Sequence, residues 1–459
     1  MTKDAMDLIR GAVGTNDVVP GEQAPEDLTH DEALGIDPAV PACVVYPRST
    51  AEVAAVLAAC DGAGVPVTAR GAGTGLSGAA VPDPDGVLLS LEQMAEIVEI
   101  DTENLVAVVQ PGVTLEQLDA ALEPLGLVYP VFPGEYSASL GGNVATNAGG
   151  MRAVKYGVTR HQVLGLEAVL ASGEVIRTGG RYVKGSTGYD LTQLVVGSEG
   201  TLAVVTEAIL RLHPRLPERG TVLAPFATLD EVSTAVPRIV ASGVGPMVLE
   251  YIDLVTMAAM VDQLDVRLGV PDEVKQTALA YLVVQVEQST EDRLDEDVSA
   301  VATQLADLGA MEVYVLPANA ATELIEAREK AFWLAKGAGA DDIIDVVVPR
   351  ACIPAFLSGV TELAGEHESW VAGCGHAGDG NVHLSVFQPD PERRKALLTE
   401  LFSLGIELGG TISGEHGLGR TKSSYYTALA DPAELALMRR IKHAFDPNGV
   451  LNPGVIFDS

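Results

Sequence analysis

The chain has 459 residues, and its hydrophobic content of 47% excludes wholesale disorder and favours about two or three folded domains. With 29 Lys and Arg against 63 Asp and Glu, the net charge of −34 argues against nucleic acid or an anionic membrane surface as a partner. An anionic substrate would therefore need local positive charge from a metal or a buried arginine.

The first residues, Met1 to Asp7, lack the basic start and apolar run of a signal peptide, and no apolar run reaches the roughly 18 residues that cross a bilayer. The four cysteines contain no Cys-x-x-Cys pair, which disfavours a disulfide scaffold or an iron–sulfur site and fits a reducing compartment. We therefore expect a cytoplasmic protein without an integral membrane segment.

From Cys43 to Pro214 the sequence is rich in glycine, and short β-branched runs alternate with helical segments. The runs at 65–68, 87–90, 105–109 and 202–206 predict strands. Helices are predicted to open at Thr50 and Thr114, whose hydroxyls suit a capping role. The proline-bearing, charged stretch from Pro214 to Gly220 predicts a domain boundary.

A first glycine-rich loop runs from Arg70 to Gly78 and contains a formal Gly-x-Gly-x-x-Gly from Gly73. A Rossmann site needs that motif to open a helix, but the turn-rich segment from Val81 to Gly86 follows instead. We therefore exclude a Rossmann fold. The glycines and a serine of the loop can still present backbone N–H groups to a pyrophosphate.

A second such stretch runs from Gly134 to Gly150 and holds five glycines among Asn, Thr and Ser. The interleaved Leu140, Val144 and Met151 argue against a flexible linker. Such a segment can wrap a large planar ligand closely while donating hydrogen bonds. The two glycine-rich stretches together indicate a bulky, phosphate-bearing cofactor.

Beyond the boundary, amphipathic helices alternate with strands such as 280–286, and the chain closes with a helix from Pro432 to Phe445. Two predicted antiparallel strands, 370–373 and 382–386, flank a histidine cluster. The cluster holds His376, Asn381 and His383 between glycines, and Gly414-Glu415-His416-Gly417 follows about thirty residues later. Imidazole with carboxylate is a ligand set for zinc and similar metals, so we expect a metal or catalytic site.

The stretch 41–53, both glycine-rich segments and 197–202 resemble the flavin domain of the vanillyl-alcohol oxidase and p-cresol methylhydroxylase group. The histidine cluster, 413–417 and the Asn452-Pro453-Gly454 ending resemble the C-terminal domain of FAD-linked oxidases. Over about residues 40–457 the chain is thus similar to FAD-linked D-2-hydroxy-acid dehydrogenases, including D-lactate dehydrogenases and glycolate oxidase flavoprotein subunits.

The resemblance implies an α+β protein with an FAD-binding domain over residues 1–217 and a substrate- and metal-binding domain with an antiparallel sheet over 218–435. A C-terminal segment, 436–459, is expected to return to the FAD domain. The flavin contacts it implies are Arg70, Gly71, Ala72, Gly73, Thr74, Gly75, Ser77, Pro133, Gly134, Gly142, Asn143, Thr146, Asn147, Gly149, Gly200, Val205 and Asn452.

The resemblance also implies roles for the polar cluster. The divalent metal ligands would be His376, His383 and Glu415, with zinc favoured and manganese or iron as alternatives. The remaining roles are His416 as general base, Arg328 on the substrate carboxylate and Asn381 on the substrate.

The family pattern is not met at two positions. Relatives with covalent flavin can carry a histidine in the first glycine loop, where this chain has Thr74 and Gly75, so FAD is expected to bind non-covalently. Hydroxyglutarate-specific members carry a basic residue where Ile343 stands, so a small lactate- or glycolate-like D-2-hydroxy acid is favoured.

Several alternatives stay open at this point. These are D-2-hydroxyglutarate as substrate, a flavin-binding subunit of a glycolate oxidase complex, an alkyl ether-lipid synthase-like enzyme and a zinc hydrolase without flavin. The electron acceptor is open among a quinone, an electron-transfer protein and O2, and a homodimer is also open.

Overall fold

The computed structural model describes residues 3–264 and 266–457, so Met1 and Thr2 of the N-terminal segment considered above lie outside the described part. The chain forms two compact units. The first comprises Met1–Ala148, Val158–Arg215 and Glu415–Ser459, and the second comprises Gly149–Gly157 and Leu216–Gly414. The chain thus returns to the first unit between Gly414 and Glu415. The predicted domain limits at 217 and 435 stay predictions.

The strands of the described residues, in chain order, are β1 Val18–Pro20, β2 Cys43–Val45, β3 Val67–Arg70, β4 Val87–Ser90, β5 Ile97–Asp101, β6 Val106–Val109, β7 Leu127–Val128, β8 Val163–Val169, β9 Val175–Gly179, β10 Val204–Arg211, β11 His213–Pro214, β12 Glu218–Phe226, β13 Val248–Asp253, β14 Ala280–Gln288, β15 Tyr314–Leu316, β16 Asp342–Val347, β17 Trp370–Gly375 and β18 Asn381–Phe387.

The α-helices of the described residues are α1 Lys3–Val13, α2 Thr50–Ala63, α3 Leu115–Leu122, α4 Leu140–Thr146, α5 Ala153–Tyr156, α6 Thr159–Gln162, α7 Leu191–Val195, α8 Leu229–Ala241, α9 Leu254–Leu264, α10 Asp272–Thr277, α11 Glu291–Asp307, α12 Ala318–Glu329, α13 Ala331–Gly337, α14 Ile353–Glu366, α15 Pro391–Glu407, α16 Ser423–Leu429 and α17 Pro432–Phe445.

The first unit contains a four-stranded sheet in the order β1-β2-β4-β3 and a five-stranded sheet in the order β5-β6-β10-β8-β9. The β2, β4 and β3 strands run parallel, whereas every pairing of the five-stranded sheet is antiparallel. A strand lies at each of the four places predicted in this half, although β3 and β10 begin two residues later than predicted. Thr114 caps α3 as predicted, but the cap of α2 is Ser49 rather than Thr50, which is already its first helical residue.

The first glycine loop leaves β3 and forms no helix before β4, which confirms the exclusion of a Rossmann fold. The second glycine-rich stretch contains a feature that the sequence reading missed. Residues Leu140–Thr146 form the short helix α4, capped by the Ser139 hydroxyl, which accepts a hydrogen bond from the backbone N–H of Gly142. Glycines at 141 and 142 obscured this helix because glycine lowers helix propensity.

The second unit is built on a seven-stranded sheet in the order β15-β12-β14-β13-β17-β18-β16, with every pairing antiparallel. The predicted antiparallel pair around the histidine cluster is confirmed as β17 and β18, with Trp370 opposite Phe387 and Cys374 opposite His383. The α+β class with an antiparallel sheet in the second half is therefore confirmed. Across the described residues, the helices include none with the length and apolar character needed to cross a membrane.

Candidate active site

A cavity in the first unit gathers both glycine-rich stretches. Most of the predicted flavin contacts line it, namely Arg70, Gly71, Ala72, Gly73, Thr74, Gly75, Ser77, Pro133, Gly142, Asn143, Thr146, Gly200 and Val205. Of the described residues predicted to contact flavin, Gly134, Asn147, Gly149 and Asn452 are not among its lining residues. Gly149 belongs to the second unit, and the Asn452 amide N–H donates to the carbonyl oxygens of Ala79 and Glu199.

Glycine is required in the first loop by close contacts and, at Gly73, also by a positive φ of 77°. A Cβ on Gly71 would lie 1.9 Å from the Ser139 hydroxyl, and one on Gly73 would lie 2.0 Å from the Arg70 guanidinium. That guanidinium is buried and donates to the carbonyl oxygens of Asp27 and His30, both at 2.6 Å. Burial lowers the pKa of Arg70, which acidic neighbours such as Asp31 partly restore. Arg70 thus connects the start of the loop to the backbone of Asp27 and His30.

A buried donor of the cavity fits a ligand that carries a hydrogen-bond acceptor. Asn143 of α4 is 4% exposed and lines the cavity, and its side-chain N–H2 has no hydrogen-bond partner within the described residues. An unsatisfied buried donor costs on the order of 1–3 kcal/mol, so a ligand acceptor at this point would be stabilising. Together with the two glycine-rich stretches that line the cavity (the glycine cradle), this donor fits the flavin expected from the sequence.

Glu199 is a residue of the cavity that the sequence reading did not single out. Its carboxylate is buried and accepts the backbone N–H groups of Leu418 at 2.9 Å and Gly419 at 2.8 Å. Burial raises the pKa of Glu199 to about 7, and these two N–H groups and Lys422 oppose that rise. The signal in the sequence was a single acid between Gly197 and Gly200, in a segment whose other residues are uncharged.

Glu415 and His416 line the same cavity as the glycine-rich stretches. Gly417, which follows them, has a positive φ of 82°, and a Cβ there would lie 2.9 Å from the Glu199 carboxylate. The segment is irregular, as the flanking glycines predicted. Its C-terminal end is held by Glu199, whose carboxylate accepts the backbone N–H of Leu418. The sequence pair Glu415-His416 is therefore presented to one cavity rather than to opposite faces of a strand.

The two remaining histidines of the cluster meet within the second unit. His376 follows β17 and His383 lies on β18, and their ring centroids are 4.8 Å apart at an interplanar angle of 78°. The tight turn between them needs Gly380, which has a φ of 82° and whose added Cβ would lie 1.9 Å from the carbonyl oxygen of Val348. Two adjacent imidazoles are a donor set that suits zinc and similar cations.

A buried carboxylate that the sequence reading missed joins His376 to Arg328. Glu250 on β13 is fully buried, with Oε1 at 2.7 Å from Nδ1 of His376 and Oε2 at 2.8 Å from Nε of Arg328. Arg328 lies near the C-terminal end of α12 and is itself buried, so it is not a surface ion-pair residue. Arg328 therefore pairs with a carboxylate of the protein itself, Glu250.

Asp345 fixes the segment that leads toward Glu415. It is fully buried on β16, accepts a hydrogen bond from the Ser413 hydroxyl at 3.2 Å and also accepts the backbone N–H of Gly414. Asn381 on β18 is buried as well, and its side-chain oxygen has no hydrogen-bond partner within the described residues. Ile343 lies on the same strand as Asp345, paired with Ser385, and brings no cation to that position.

The fold matches that of solved protein structures. The chain superposes with a TM-score of 0.80 on a crystal structure of p-cresol methylhydroxylase with substrate bound, covering 99% of this chain and 96% of that one at 19% identity. At that identity the likeness establishes the fold alone. It confirms the architecture expected from the vanillyl-alcohol oxidase and p-cresol methylhydroxylase resemblance.

The chain belongs to the family of FAD linked oxidases: residues 41–179 match its FAD binding domain and residues 216–456 its C-terminal domain. It is 57% identical to an uncharacterized FAD-linked oxidoreductase of Mycobacterium tuberculosis, over 97% of both chains. It is 39% identical to a D-lactate dehydrogenase of Archaeoglobus fulgidus, over 90% of both chains. It is also 38% identical to the glycolate oxidase subunit GlcD of Bacillus subtilis, over 91% of this chain and 89% of that one.

Proposed function

We propose that the protein oxidises a small D-2-hydroxy acid, lactate- or glycolate-like, to the 2-oxo acid with non-covalently bound FAD and a divalent metal. The observation that carries this proposal is that Glu415 and His416 line the same cavity as the glycine cradle and the unsatisfied donor of Asn143. A carboxylate and an imidazole beside a flavin cradle suit metal-assisted proton removal. The names of the relatives, a D-lactate dehydrogenase and a glycolate oxidase subunit, support the substrate class.

The oxidation removes two hydrogens from the substrate, one as a proton from the hydroxyl and one as a hydride from C2. His416 accepts the hydroxyl proton, because imidazole is a base suited to neutral pH. Arg328 contacts Glu250 through Nε, and its guanidinium carries further N–H donors that would pair with the substrate carboxylate in a chain of net charge −34. Bound FAD supplies the two-electron acceptor for the hydride.

His376, His383 and Glu415 would hold the metal, zinc in the first instance, and Asn381 would contact the substrate. The metal would polarise the substrate hydroxyl and make its proton easier to remove. Support for these assignments comes from the paired imidazoles, which are nitrogen donors, and from the unsatisfied buried oxygen of Asn381.

A small substrate is preferred because a second carboxylate would require a second cation. Ile343 is an apolar residue on a strand whose buried charged neighbour, Asp345, is acidic. A dicarboxylate such as D-2-hydroxyglutarate would therefore meet no compensating charge from this strand, and burying an unpaired carboxylate is costly.

A substrate panel with an artificial dye acceptor tests this function. D-Lactate and glycolate should support turnover, while L-lactate and D-2-hydroxyglutarate should be poor substrates. Preference for D-2-hydroxyglutarate would overturn the size assignment. Absence of turnover with every 2-hydroxy acid, in a protein that carries FAD, would overturn the substrate class.

A further inference from the structure

The Glu250 carboxylate occupies an unusual position for an acidic residue. It lies in the middle of β13 between Leu249 and Tyr251, in a strand that is buried over nearly its whole length. Both of its oxygens are engaged by cationic or donor groups, His376 at 2.7 Å and Arg328 at 2.8 Å. A buried carboxylate is costly unless it is paired, and Arg328 supplies the balancing charge.

This contact determines which ring nitrogen of His376 is available to a ligand. An ionised carboxylate can only accept hydrogen bonds, so the neutral imidazole places its single proton on Nδ1 and donates it to Oε1 of Glu250. The lone pair is then left on Nε2. Histidines that bind metals commonly have their second nitrogen held by a carboxylate in this way, which fixes the ring and makes it a better donor.

We propose that Glu250 is a positioning residue that holds the proton of His376 on Nδ1, presents Nε2 to the metal and joins this ligand to Arg328. The inference rests on the proposed function, since it assumes the metal assigned to His376 and His383. It adds a direct connection between a metal ligand and the arginine proposed to bind the substrate. One carboxylate orients both groups, so a change at Glu250 affects metal binding and substrate binding together.

The experiment measures Zn2+ affinity of the full-length protein by competition with a chelator, for wild type, Glu250→Gln and a matched control. The control is Glu287→Gln, because Glu287 is also a buried glutamate of this sheet, paired with Lys155 at 3.0 Å and with Tyr156. A glutamine at 250 is uncharged and has a single acceptor oxygen, so it cannot both accept the Nδ1 proton of His376 and pair with the Arg328 guanidinium. The Zn2+ dissociation constant should rise about 10–100-fold in Glu250→Gln and stay unchanged in Glu287→Gln, with FAD content equal in all three proteins.

The outcomes separate this inference from the function on which it rests. If wild type binds Zn2+ and Glu250→Gln binds it equally tightly, the inference is wrong and the metal assignment stands. If wild type has no affinity for Zn2+, the metal assignment fails and the inference fails with it.

A second measurement needs no variant and covers the case in which Glu250→Gln does not fold. Nitrogen-15 NMR of histidine-labelled, metal-free wild type should show His376 with its proton on Nδ1. A spectrum with the proton on Nε2 would overturn the proposal directly.

Discussion

Removal of Arg328 should separate its structural contribution from its contribution to substrate binding. In Arg328→Ala the Glu250 carboxylate, which is fully buried, loses the partner that lies at 2.8 Å. Breaking a buried ion pair by removing one member costs about 3–5 kcal/mol, since the remaining charge stays buried without compensation. We therefore expect a loss of about 3–5 kcal/mol in the free energy of unfolding of the second unit.

Fluorescence can follow that unit selectively. Both tryptophans of the chain, Trp333 and Trp370, belong to the second unit. Urea unfolding followed by tryptophan emission therefore reports on the second unit, while flavin release reports on the first. The tryptophan transition of Arg328→Ala should move to lower urea without an equal shift in flavin release.

A double variant tests whether the loss in the free energy of unfolding comes from the buried, unpaired charge of Glu250. Arg328→Met with Glu250→Gln removes both charges and should recover most of the lost stability, because an uncharged pair leaves no buried ion. It should not recover turnover, where the loss of the arginine costs about 2–4 kcal/mol in kcat/KM. Unchanged urea transitions in Arg328→Ala would refute the buried pair, and wild-type kcat/KM in the double variant would refute the substrate role.

The remaining predictions concern other groups of the site. His416→Ala should retain FAD and Zn2+ and lose roughly 10²–10⁴-fold in kcat, and normal turnover would exclude it as the base. His383→Ala should lose at least about 10–100-fold in Zn2+ affinity, measured by chelator competition, whereas unaltered affinity would exclude it as a ligand. Acid precipitation should release all flavin into the supernatant, and yellow colour retained in the pellet would demonstrate a covalent link. Because burial raises the pKa of Glu199 from 4.5 to about 7, the protonated carboxyl favours the folded state, and the free energy of unfolding should fall by about 3 kcal/mol as pH rises from 4.5 to above 7. Glu199→Gln should flatten the dependence of the free energy of unfolding on pH between these values, and an unchanged dependence would contradict the buried acid.

Local sequence patterns predicted the elements that carry the site. The β-branched runs around β4 and β14, the capping Thr114 and the closing helix α17 all depend on neighbours within a few residues, so the sequence contains their determinants. The glycine loops were also recognisable, since close backbone approach requires glycine whatever the rest of the fold. The family resemblance, which the comparisons confirm, supplied the cofactor.

The long-range partners could not be predicted in the same way. Glu250 precedes His376 by 126 residues, and Glu199 precedes Leu418 by 219, so only the folded sheets and loops bring them together. Arg328 could be proposed from the sequence as a carboxylate-binding residue, but not as the partner of Glu250. The sequence showed only that Glu250 and Glu199 are acids in largely apolar segments. Their roles can be interpreted once the structure shows their partners.

If the proposed function is correct, a small D-2-hydroxy acid reduces the bound flavin of this protein. The most direct test mixes purified, FAD-loaded protein with D-lactate under anaerobic conditions, without any added acceptor, and follows the flavin absorbance. We predict that the yellow absorbance bleaches in a single turnover, that pyruvate forms in an amount equal to the flavin, and that L-lactate leaves the absorbance unchanged. Flavin that stays oxidised with both D-lactate and glycolate, or that bleaches only with D-2-hydroxyglutarate, would contradict this account.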